Sequence, residues 1–294
     1  MAKRNQQNAV SIEGLSKRFG NARAVDDLTF SLPVGTICGF VGPNGSGKTT
    51  TLRMLATLLQ PDGGTARIFD LDVQQRADAK RIRHIIGYMP DYFGLYDDMS
   101  AAEYIDFFAA AYRIPLSERQ RLVEDILAIV GLGDKGNMLI AELSRGMQQR
   151  LSLGRCLVHS PKLLLLDEPA SGLDPRARIE MMELLRELRD MGKTILISSH
   201  ILSELHNLCD MVVIVEDGKQ VFCGSVDEAS QQLHEGRQIL ELVLAREHNG
   251  CTQALTACDG VLDVRQQGNV VCVEYSGPLT GEDLIRFCVN QNIP

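Results

Sequence analysis

The sequence predicts an α/β fold organised around a central, mainly parallel sheet. Residues 36–41 form an apolar run typical of a buried strand, and a glycine-rich turn leads from it into a helix with leucines at helical spacing. Farther along the chain, Leu163–Leu166 is an uninterrupted aliphatic run that ends at two carboxylates. A continuous apolar run suits a central parallel strand, and its carboxyl end is where α/β sheets bind ligands.

The glycine-rich turn has its own chemistry. Residues 42–49 fit the pattern G-x-x-x-x-G-K-[ST], the phosphate-binding loop of P-loop nucleotidases. Glycines let successive backbone N–H groups curl around phosphate oxygens, and the following helix directs its positive end at the same anion. In this pattern Lys48 reaches the β- and γ-phosphates, and the Thr49 hydroxyl is a magnesium ligand. Because strand, turn and helix are all in place, a chance glycine-rich turn explains the stretch poorly.

The other elements of the first 90 residues are short. In chain order the pattern predicts strands over residues 10–15 and 24–32, a helix over 51–59, a strand over 65–69, a helix over 77–83 and a strand over 84–89.

Aromatic residues are concentrated between positions 88 and 112. That segment holds eight of the fifteen aromatic residues in the chain. We expect Tyr104, Phe107 and Phe108 to form the core of a helical subdomain. The other three of interest, Tyr92, Phe93 and Tyr96, lie in a loop rich in Gly and Asp. Two interpretations of these loop aromatics remain open, ordinary packing and anchors for a partner protein.

Helices and strands are predicted to alternate between residues 117 and 216. The pattern predicts helices over residues 117–130, from about 145 to 159 and over 175–191, and strands over 163–166, 194–198 and 211–216.

Taken in order, the polar motifs resemble those of the ATP-binding subunit of an ABC transporter. Walker A is Gly42–Thr50, the signature is Leu143–Met147, and Walker B is Leu163–Asp167 with Glu168 after it; the D-loop is Ser171–Asp174 and the switch histidine is His200. The resemblance covers residues 9–225. It implies a P-loop (RecA-like) core with an antiparallel β subdomain and a helical subdomain at about residues 92–160.

The resemblance also implies a mechanism. Two such subunits would enclose two ATP molecules head to tail, each ATP between Walker A of one copy and the signature of the other. Magnesium would be held by Thr49, Asp91 and Asp167. Glu168 would polarise the attacking water, with His200 and Lys48 at the γ-phosphate. The nucleotide-binding residues carried over by motif are Phe19 (under adenine), Gly42, Asn44, Gly45, Ser46, Gly47, Lys48, Thr49, Thr50, Ser144, Gly146 and Asp174.

Three positions depart from the family pattern. Asp91 stands where the family usually has glutamine; it can ligate magnesium but donates no hydrogen bond when ionised. Arg145 replaces a glycine and Met147 a glutamine in the signature. An arginine near phosphate is electrostatically acceptable, although the close approach of the backbone there is altered.

Composition restricts the partners. The chain has 294 residues, a net charge of −8 and no basic stripe, so a nucleic-acid partner is disfavoured. No apolar run approaches the roughly 18–20 residues that span a bilayer, and the N-terminus lacks the apolar segment of a signal peptide. Any membrane role must therefore come through a partner. The resemblance implies that this partner is a polytopic transmembrane permease, which would hold the chain at the cytoplasmic face of a membrane. The eight cysteines form no C-x-x-C pair and are expected to be reduced thiols.

The last 59 residues, 236–294, have the pattern of a second small unit. Strands and helices are predicted in the order β-α-β-β-α, with a hairpin at residues 266–269. This order is that of a ferredoxin-like domain without its final strand. A packing extension with no role of its own is one interpretation. Similar tails occur in ABC subunits of the ABC-2 export type, which favours an exporter by analogy.

Three functions compete. The leading hypothesis is an ATPase that forms a homo- or heterodimer and powers export through the permease. The alternative is a soluble ABC ATPase acting on a cytosolic complex, but those proteins usually have two fused cassettes or long coiled coils, and this chain has one cassette and no heptads. An inactive binding module is a third; the intact Lys48, Asp167 and Glu168 argue against it.

Overall fold

The computed structural model describes residues 7–92, 94–229, 238–246, 250–275, 279–291 and 293. The chain divides into two compact units, Met1–Val226 and Asp227–Pro294.

A six-stranded sheet forms the centre of the first unit. Its strands are β3 (Ile37–Val41), β6 (Ile86–Met89), β7 (Leu163–Leu166), β8 (Thr194–Ser199), β9 (Met211–Glu216) and β10 (Lys219–Gly224). Their order across the sheet is β10-β9-β3-β8-β7-β6. All neighbours pair in parallel except β10, which runs antiparallel to β9. Every residue of β3, β7 and β8 is buried, as expected for central parallel strands covered on both faces.

A second, antiparallel sheet packs on the first. Its order is β2-β1-β4-β5, with β1 (Asn8–Phe19), β2 (Ala22–Pro33), β4 (Gly63–Ile68) and β5 (Leu71–Asp72). The strands β1 and β2 are longer than the sequence pattern predicted because bulges keep them paired past the alternating segment. Ile12, Phe40 and Leu165 belong to one buried cluster that joins the two sheets.

Helices cover the sheet and form the helical subdomain. They are α1 (Lys48–Leu55), α2 (Arg76–Ile85), α3 (Ala101–Ala111), α4 (Leu116–Ile129), α5 (Arg145–Leu157), α6 (Pro175–Asp190) and α7 (Leu202–Leu205). The helix predicted over residues 51–59 was misplaced. It begins at Lys48 and ends at Leu55. The helix cannot extend to residue 59, because Thr57 has a φ of 59°, which lies in the left-handed region and not in the right-handed helical region. Leu58 therefore lies outside the helix and is 62% exposed.

The aromatic segment is only partly core. Tyr104 is fully buried on α3, and Phe108 packs against its ring at 5.0 Å. Phe107, predicted to be buried, is 48% exposed because it lies on the outer side of α3. The helix itself begins with a capping box in which Ser100 and Glu103 bond each other's backbone N–H groups.

The second unit contains a three-stranded antiparallel sheet and two helices. The sheet order is β11-β13-β12, with β11 (Gln238–Val243), β12 (Val261–Gln267) and β13 (Val270–Tyr275). The helices are α8 (Cys251–Thr256) and α9 (Gly281–Asn290). Leu255, Val273 and Leu284 meet in the buried cluster between helices and sheet. The described elements thus follow one another as β-α-β-β-α; the expected boundary at residue 236 lies outside the described residues.

Among the residues that the structure describes, no helix has the length and apolar character needed to cross a bilayer.

Candidate functional site

The glycine-rich turn leads from β3 directly into α1. Gly47, the residue before the helix, has a φ of 99°, and a Cβ there would collide with the carbonyl oxygen of Ala24. Lys48 is 6% exposed, and its Nζ donates to the carbonyl oxygens of Gly42 at 2.6 Å and Pro43 at 3.1 Å. The loop is therefore folded around the lysine ammonium, with the start of α1 beside it. This is the arrangement in which backbone N–H groups and a cation converge on an anion.

Asp167 follows β7 and is the most deeply buried carboxylate of the site. It is 1% exposed, and its backbone N–H donates to Met89 on β6 at 2.8 Å. Ser198 Oγ donates to Asp167 Oδ1 at 2.8 Å, whereas Asp167 Oδ2 has no hydrogen-bond partner in the described part of the chain. A buried carboxylate oxygen without a partner is costly unless a cation or donor completes it.

Burial raises the pKa of Asp167 above its ordinary value. The hydroxyls of Ser198 and Thr49 act in the opposite direction, and the negative charges of Asp91 and Glu168 raise the pKa further. Thr49 and Asp91 thus lie close enough to Asp167 to affect the pKa of its carboxyl group. These are the three residues expected to bind magnesium. Two carboxylates and a hydroxyl are a donor set that Mg²⁺ accepts together with phosphate oxygens, so these residues fit the ion. A bound Mg²⁺ supplies positive charge to the phosphates.

Glu168 lies between the lysine and the histidine of the site. Its Oε1 is 3.5 Å from Lys48 Nζ, and its Oε2 is 2.9 Å from His200 Nδ1. Its backbone has a φ of 50°, and its N–H donates to Ser198 Oγ at 2.9 Å. A left-handed conformation at a residue other than glycine costs about 1–3 kcal/mol, and such strain is concentrated at functional sites. The strained turn lets Asp167 and Glu168, adjacent in sequence, direct their carboxylates to different neighbours.

The signature segment packs on the D-loop of the same chain. Ser144 caps α5 by accepting from Met147 N at 3.3 Å. A Cβ on Gly146 would lie 2.9 Å from that of Ala177 on α6, so only glycine allows this approach of the two helices. Arg145 points its guanidinium at the D-loop, and its Nη2 donates to the carbonyl oxygen of Ser171 at 3.4 Å.

Asp174 lies at the other end of that contact. Its carboxylate caps α6 by accepting from the backbone N–H groups of Arg176 and Ala177, each at 3.0 Å. The N-termini of α5 and α6 thus lie side by side, and each is capped by a side chain expected to contact nucleotide across a dimer.

Part of the expected site lies together at the carboxyl edge of the six-stranded sheet. Lys48, Asp167, Glu168 and His200 are there, linked by the contacts above. Asn44 and Gly45 of the loop are exposed, and Ser46 is buried with its hydroxyl unpartnered within the described residues. Phe19 is exposed at the end of β1. Ser144, Gly146 and Asp174 instead cluster at the N-termini of α5 and α6. Thr50 is half-buried in the first turn of α1.

Sequence reasoning missed Ser198. Its hydroxyl donates to Asp167 and accepts from the Glu168 N–H, so it fixes both acids at once. The available signal was its position at the carboxyl end of β8, next to the strand that carries the acids. Gln149 was missed as well; its Nε2 donates to the Ser171 carbonyl oxygen at 3.0 Å and supports the D-loop.

Known proteins place this site in a family. Residues 25–171 match the family described as ABC transporter. The Nod factor export ATP-binding protein I of Burkholderia orbicola (strain AU 1054) is 39% identical over 216 residues, which are 74% of this chain and 70% of that protein. The daunorubicin/doxorubicin resistance ATP-binding protein DrrA of Streptomyces peucetius is 36% identical over 236 residues, covering 80% of this chain and 70% of DrrA.

A solved structure agrees with the sequence relatives. That of cbiO1 from Clostridium perfringens, part of the ABC transporter complex cbiONQ, superimposes with a TM-score of 0.72 at 26% identity, covering 78% of this chain and 92% of that one. Proteins of this family bind ATP with Mg²⁺, hydrolyse it, dimerise and work with a transmembrane permease. From the phosphate-binding loop, the paired acids and these relatives, we conclude that the chain belongs to the ABC transporter family as an ATP-binding, ATP-hydrolysing subunit.

Proposed function

We propose that this chain powers export through a separate polytopic permease, to which it binds at the cytoplasmic face of the membrane. Two relatives bear names that concern outward movement or resistance, Nod factor export and daunorubicin/doxorubicin resistance, and they support export over import. The observation that carries the catalytic part is the position of Glu168, whose carboxylate oxygens lie 3.5 Å from Lys48 and 2.9 Å from His200.

The site residues then divide the work. Lys48 and the N–H groups of the phosphate-binding loop hold the β- and γ-phosphates, and Phe19 stacks on the adenine. Asp167, Thr49 and Asp91 hold the magnesium ion. Glu168 accepts a proton from the attacking water, and His200 keeps its carboxylate oriented toward the γ-phosphate. This chemistry depends on positioning and charge neutralisation more than on covalent help.

The second half of each site comes from a second ATP-binding subunit, either another copy or a related chain. Ser144 and the N–H groups at the start of α5 reach the γ-phosphate held by the partner's Walker A segment. Asp174 and the D-loop lie beside that helix end and link the two sites. The packing of Gly146 against Ala177 supports this assignment, because it brings the start of α5 close to the start of α6, which directly follows the D-loop.

The permease contacts the loop between Asp91 and α3. In that loop Tyr92 is 85% exposed. Tyr96 is 50% exposed, although its ring also packs on those of Tyr104 and Phe107, with centroids 6.1 and 5.9 Å away. Exposed aromatic side chains grouped on one loop suit a surface that a partner covers. Phe93, the third aromatic of the loop, lies outside the described residues. Replacing all three with alanine should spare basal ATP hydrolysis and weaken association with the permease. A matched control replaces Ile179, Met191 and Val221, which are comparably exposed elsewhere.

The experiment that tests this function is a mild-detergent purification of the tagged chain from its native membranes. We expect a polytopic membrane protein in near-stoichiometric amount. Recovery only from the soluble fraction, together with ribosomes or nucleic-acid factors, would replace the transporter with a soluble ABC ATPase.

The direction of transport is tested in cells from which both this chain and the co-purified membrane protein have been deleted. Export predicts a compound that wild-type cells release and the deletion strain retains. A compound that the deletion strain no longer takes up would reverse the proposed direction.

A further inference from the structure

A small cavity separates the D-loop from the turn that carries His200. It has a volume of about 130 Å³ and lies beside Glu168. Its walls include residues 168–172, which run from Walker B into the D-loop, and residues 199–201, which we call the switch turn. Because these segments leave a space between them, the side chains that connect them determine how a shift of one reaches the other.

An ion pair that the mechanism above does not use is one of these connections. It joins Arg178 on α6 to Glu204 on α7, with the Nη1 and Oε1 atoms 2.8 Å apart. Both side chains line the cavity. The contact of His200 with Glu168, at 2.9 Å, is another connection, but both of those residues are assigned to the hydrolysis of ATP.

Arg178 contacts both sides of the cavity at once. Its Nη1 pairs with Glu204, and its Nη2 donates to the carbonyl oxygen of Leu173 in the D-loop at 3.3 Å. Glu204 comes four residues after His200, in the one-turn helix that follows the switch turn. A guanidinium presents its donors in a fixed fork, so it holds two acceptors in a defined relation to each other. One side chain thus connects the switch turn with a D-loop carbonyl.

The ion pair is sheltered from water. The side chain of Glu204 is 14% exposed and that of Arg178 is 34% exposed. The Nε atom of Arg178 is buried and has no hydrogen-bond partner in the described part of the chain. Removing one partner of a sheltered pair leaves the other charge uncompensated, so this contact restricts the geometry more than a surface pair does.

Two further arginines of α6 contact the segment that follows α7 and provide an internal comparison. Arg186 Nη2 donates to the Asn207 carbonyl oxygen at 3.2 Å, and Arg189 Nη1 lies 3.6 Å from Asp210 Oδ1. They come 8 and 11 residues after Arg178. That spacing puts them about 12 and about 17 Å farther along the helix from the D-loop. Both therefore attach the same segment at a distance from the D-loop.

Resting on the proposed function, in which His200 contacts the γ-phosphate and the D-loop links the two ATP sites, we propose that Arg178 and Glu204 are positioning residues. They transmit the position of the switch turn at one ATP to the D-loop beside the ATP held by the partner subunit. With ATP bound, His200 fixes the switch turn, and the ion pair then holds Leu173 in the arrangement that the second site needs. Loss of the γ-phosphate releases the switch turn and, through the pair, the D-loop.

Steady-state kinetics give the first test. Arg178→Met removes both contacts and keeps the length of the side chain. It should lower kcat about tenfold and change the KM for ATP less than about twofold, because neither residue of the pair contacts nucleotide. Adding Glu204→Gln should slow hydrolysis less than about twofold further, because the two residues act as one contact.

Arg189→Met is the matched control. It breaks an ion pair of the same helix at a similar exposure of the arginine side chain, 30% against 34%. It should change kcat and KM less than about twofold. Equal losses of kcat in the Arg178 and Arg189 variants would overturn the inference, because any attachment of this segment to α6 would then serve. If Arg178→Met does not fold, Arg178→Lys takes its place, since it keeps the charge beside Glu204 and loses the fork.

Hydrogen exchange locates the effect in the chain. In the Glu168→Gln background, ATP should hold two subunits together and slow amide exchange at residues 171–174 at least about fivefold. Arg178→Met in this background should return that exchange to within about twofold of the ATP-free rate, while residues 199–201 stay protected and the dimer persists. Arg189→Met should keep both segments protected. A merely structural role of Arg178 would not separate the two segments.

The outcomes separate the inference from the function on which it rests. Protection of the D-loop that survives Arg178→Met overturns the inference and leaves the proposed function standing. Absence of an ATP-dependent dimer in the Glu168→Gln chain, or wild-type turnover of that variant, contradicts the catalytic part of the proposed function, and the inference falls with it.

Discussion

The Nδ1 atom of His200 lies 2.9 Å from Oε2 of Glu168. A carboxylate oxygen only accepts hydrogen bonds, so the histidine donates through Nδ1, which leaves Nε2 for another partner. The glutamate side chain is 15% exposed and the histidine side chain 43% exposed, so the histidine contacts the acid from the side that faces the solvent. Lys48 Nζ lies 3.5 Å from the other carboxylate oxygen, which has no hydrogen-bond partner among the described residues, so the histidine orients the carboxylate and the lysine contributes electrostatic attraction.

We expect Glu168→Gln to bind ATP with nearly unchanged affinity and to hydrolyse it about 10²–10⁴-fold more slowly, since the amide cannot accept a proton from water. Slow turnover should hold two subunits together around ATP. Phosphate release and the ATP-dependent shift in mass by size-exclusion chromatography measure the two effects. Glu183→Gln, at an exposed position on α6, serves as the control. Wild-type turnover of the Glu168 variant would remove the residue from its assigned role.

Phe19 tests the adenine contact. It ends β1, is 53% exposed, and has Lys17 Nζ 5.8 Å from its ring centre. Stacking of a base on an aromatic ring contributes roughly 1–3 kcal/mol, so Phe19→Ala should raise the Kd for ATP about 5- to 150-fold. Phe19→Tyr should bind like wild type. Inorganic tripolyphosphate is the internal control, because its affinity should not change; an equal loss for both ligands would show that the substitution disturbs the loop instead.

The sequence was informative wherever one strand or one motif decides the geometry. The phosphate-binding loop, the buried strand Leu163–Leu166 and the acids after it were all found from local pattern, because a buried parallel strand brings its carboxyl end to the ligand edge. Ser198 could not be found in this way. Its importance arises from the pairing of β7 with β8, which puts its hydroxyl beside Asp167 and the Glu168 N–H.

Arg145 and Phe107 show a second limit of local pattern. The signature pattern indicated that Arg145 departs from the family, but only the packing of α5 on the D-loop reveals where its guanidinium points. Phe107 was expected in the core because aromatics on a helix usually are. Its position on the outer side of α3 depends on which face α4 and α5 cover, and that is a property of the tertiary arrangement.

His159 predicts a pH-dependent stability. Its Nε2 donates to the Ile86 carbonyl oxygen at 2.7 Å, and its ring stacks on Tyr112 at 4.1 Å. Burial lowers the pKa of His159 below its ordinary value. The hydrogen bond to Ile86 opposes this shift, and the charges of His84 and Lys193 lower the pKa further. The unfolded chain therefore binds more protons than the folded chain once the pH falls below the ordinary histidine pKa of about 6.5, so folding stability falls with it.

The measurement is the melting temperature of wild type and of His159→Gln between about pH 7 and about pH 5. Wild type should lose more stability over this range than the variant. His206→Gln, at an exposed site, is the control and should follow wild type. Parallel curves for wild type and His159→Gln would mean that His159 takes no part in the acid sensitivity.

Substitution of Arg145 distinguishes two roles for this arginine of the signature, positioning of the D-loop and contact with the nucleotide phosphate. Its guanidinium lies against the D-loop, where a Cβ on Gly172 would be 2.7 Å from Arg145 Cζ. We therefore expect Arg145 to position the D-loop and not to contact the phosphates of the ATP bound by the same chain. Arg145→Ala should lower kcat about fivefold, the equivalent of one lost hydrogen bond of about 1 kcal/mol, with the KM for ATP nearly unchanged. Arg145→Lys, which keeps a donor, should recover part of the rate. Arg176→Ala, an exposed arginine on α6, should stay near wild type. A rise in KM with kcat unchanged would instead place the guanidinium on the nucleotide, because only uniform binding of substrate and transition state would then have been lost.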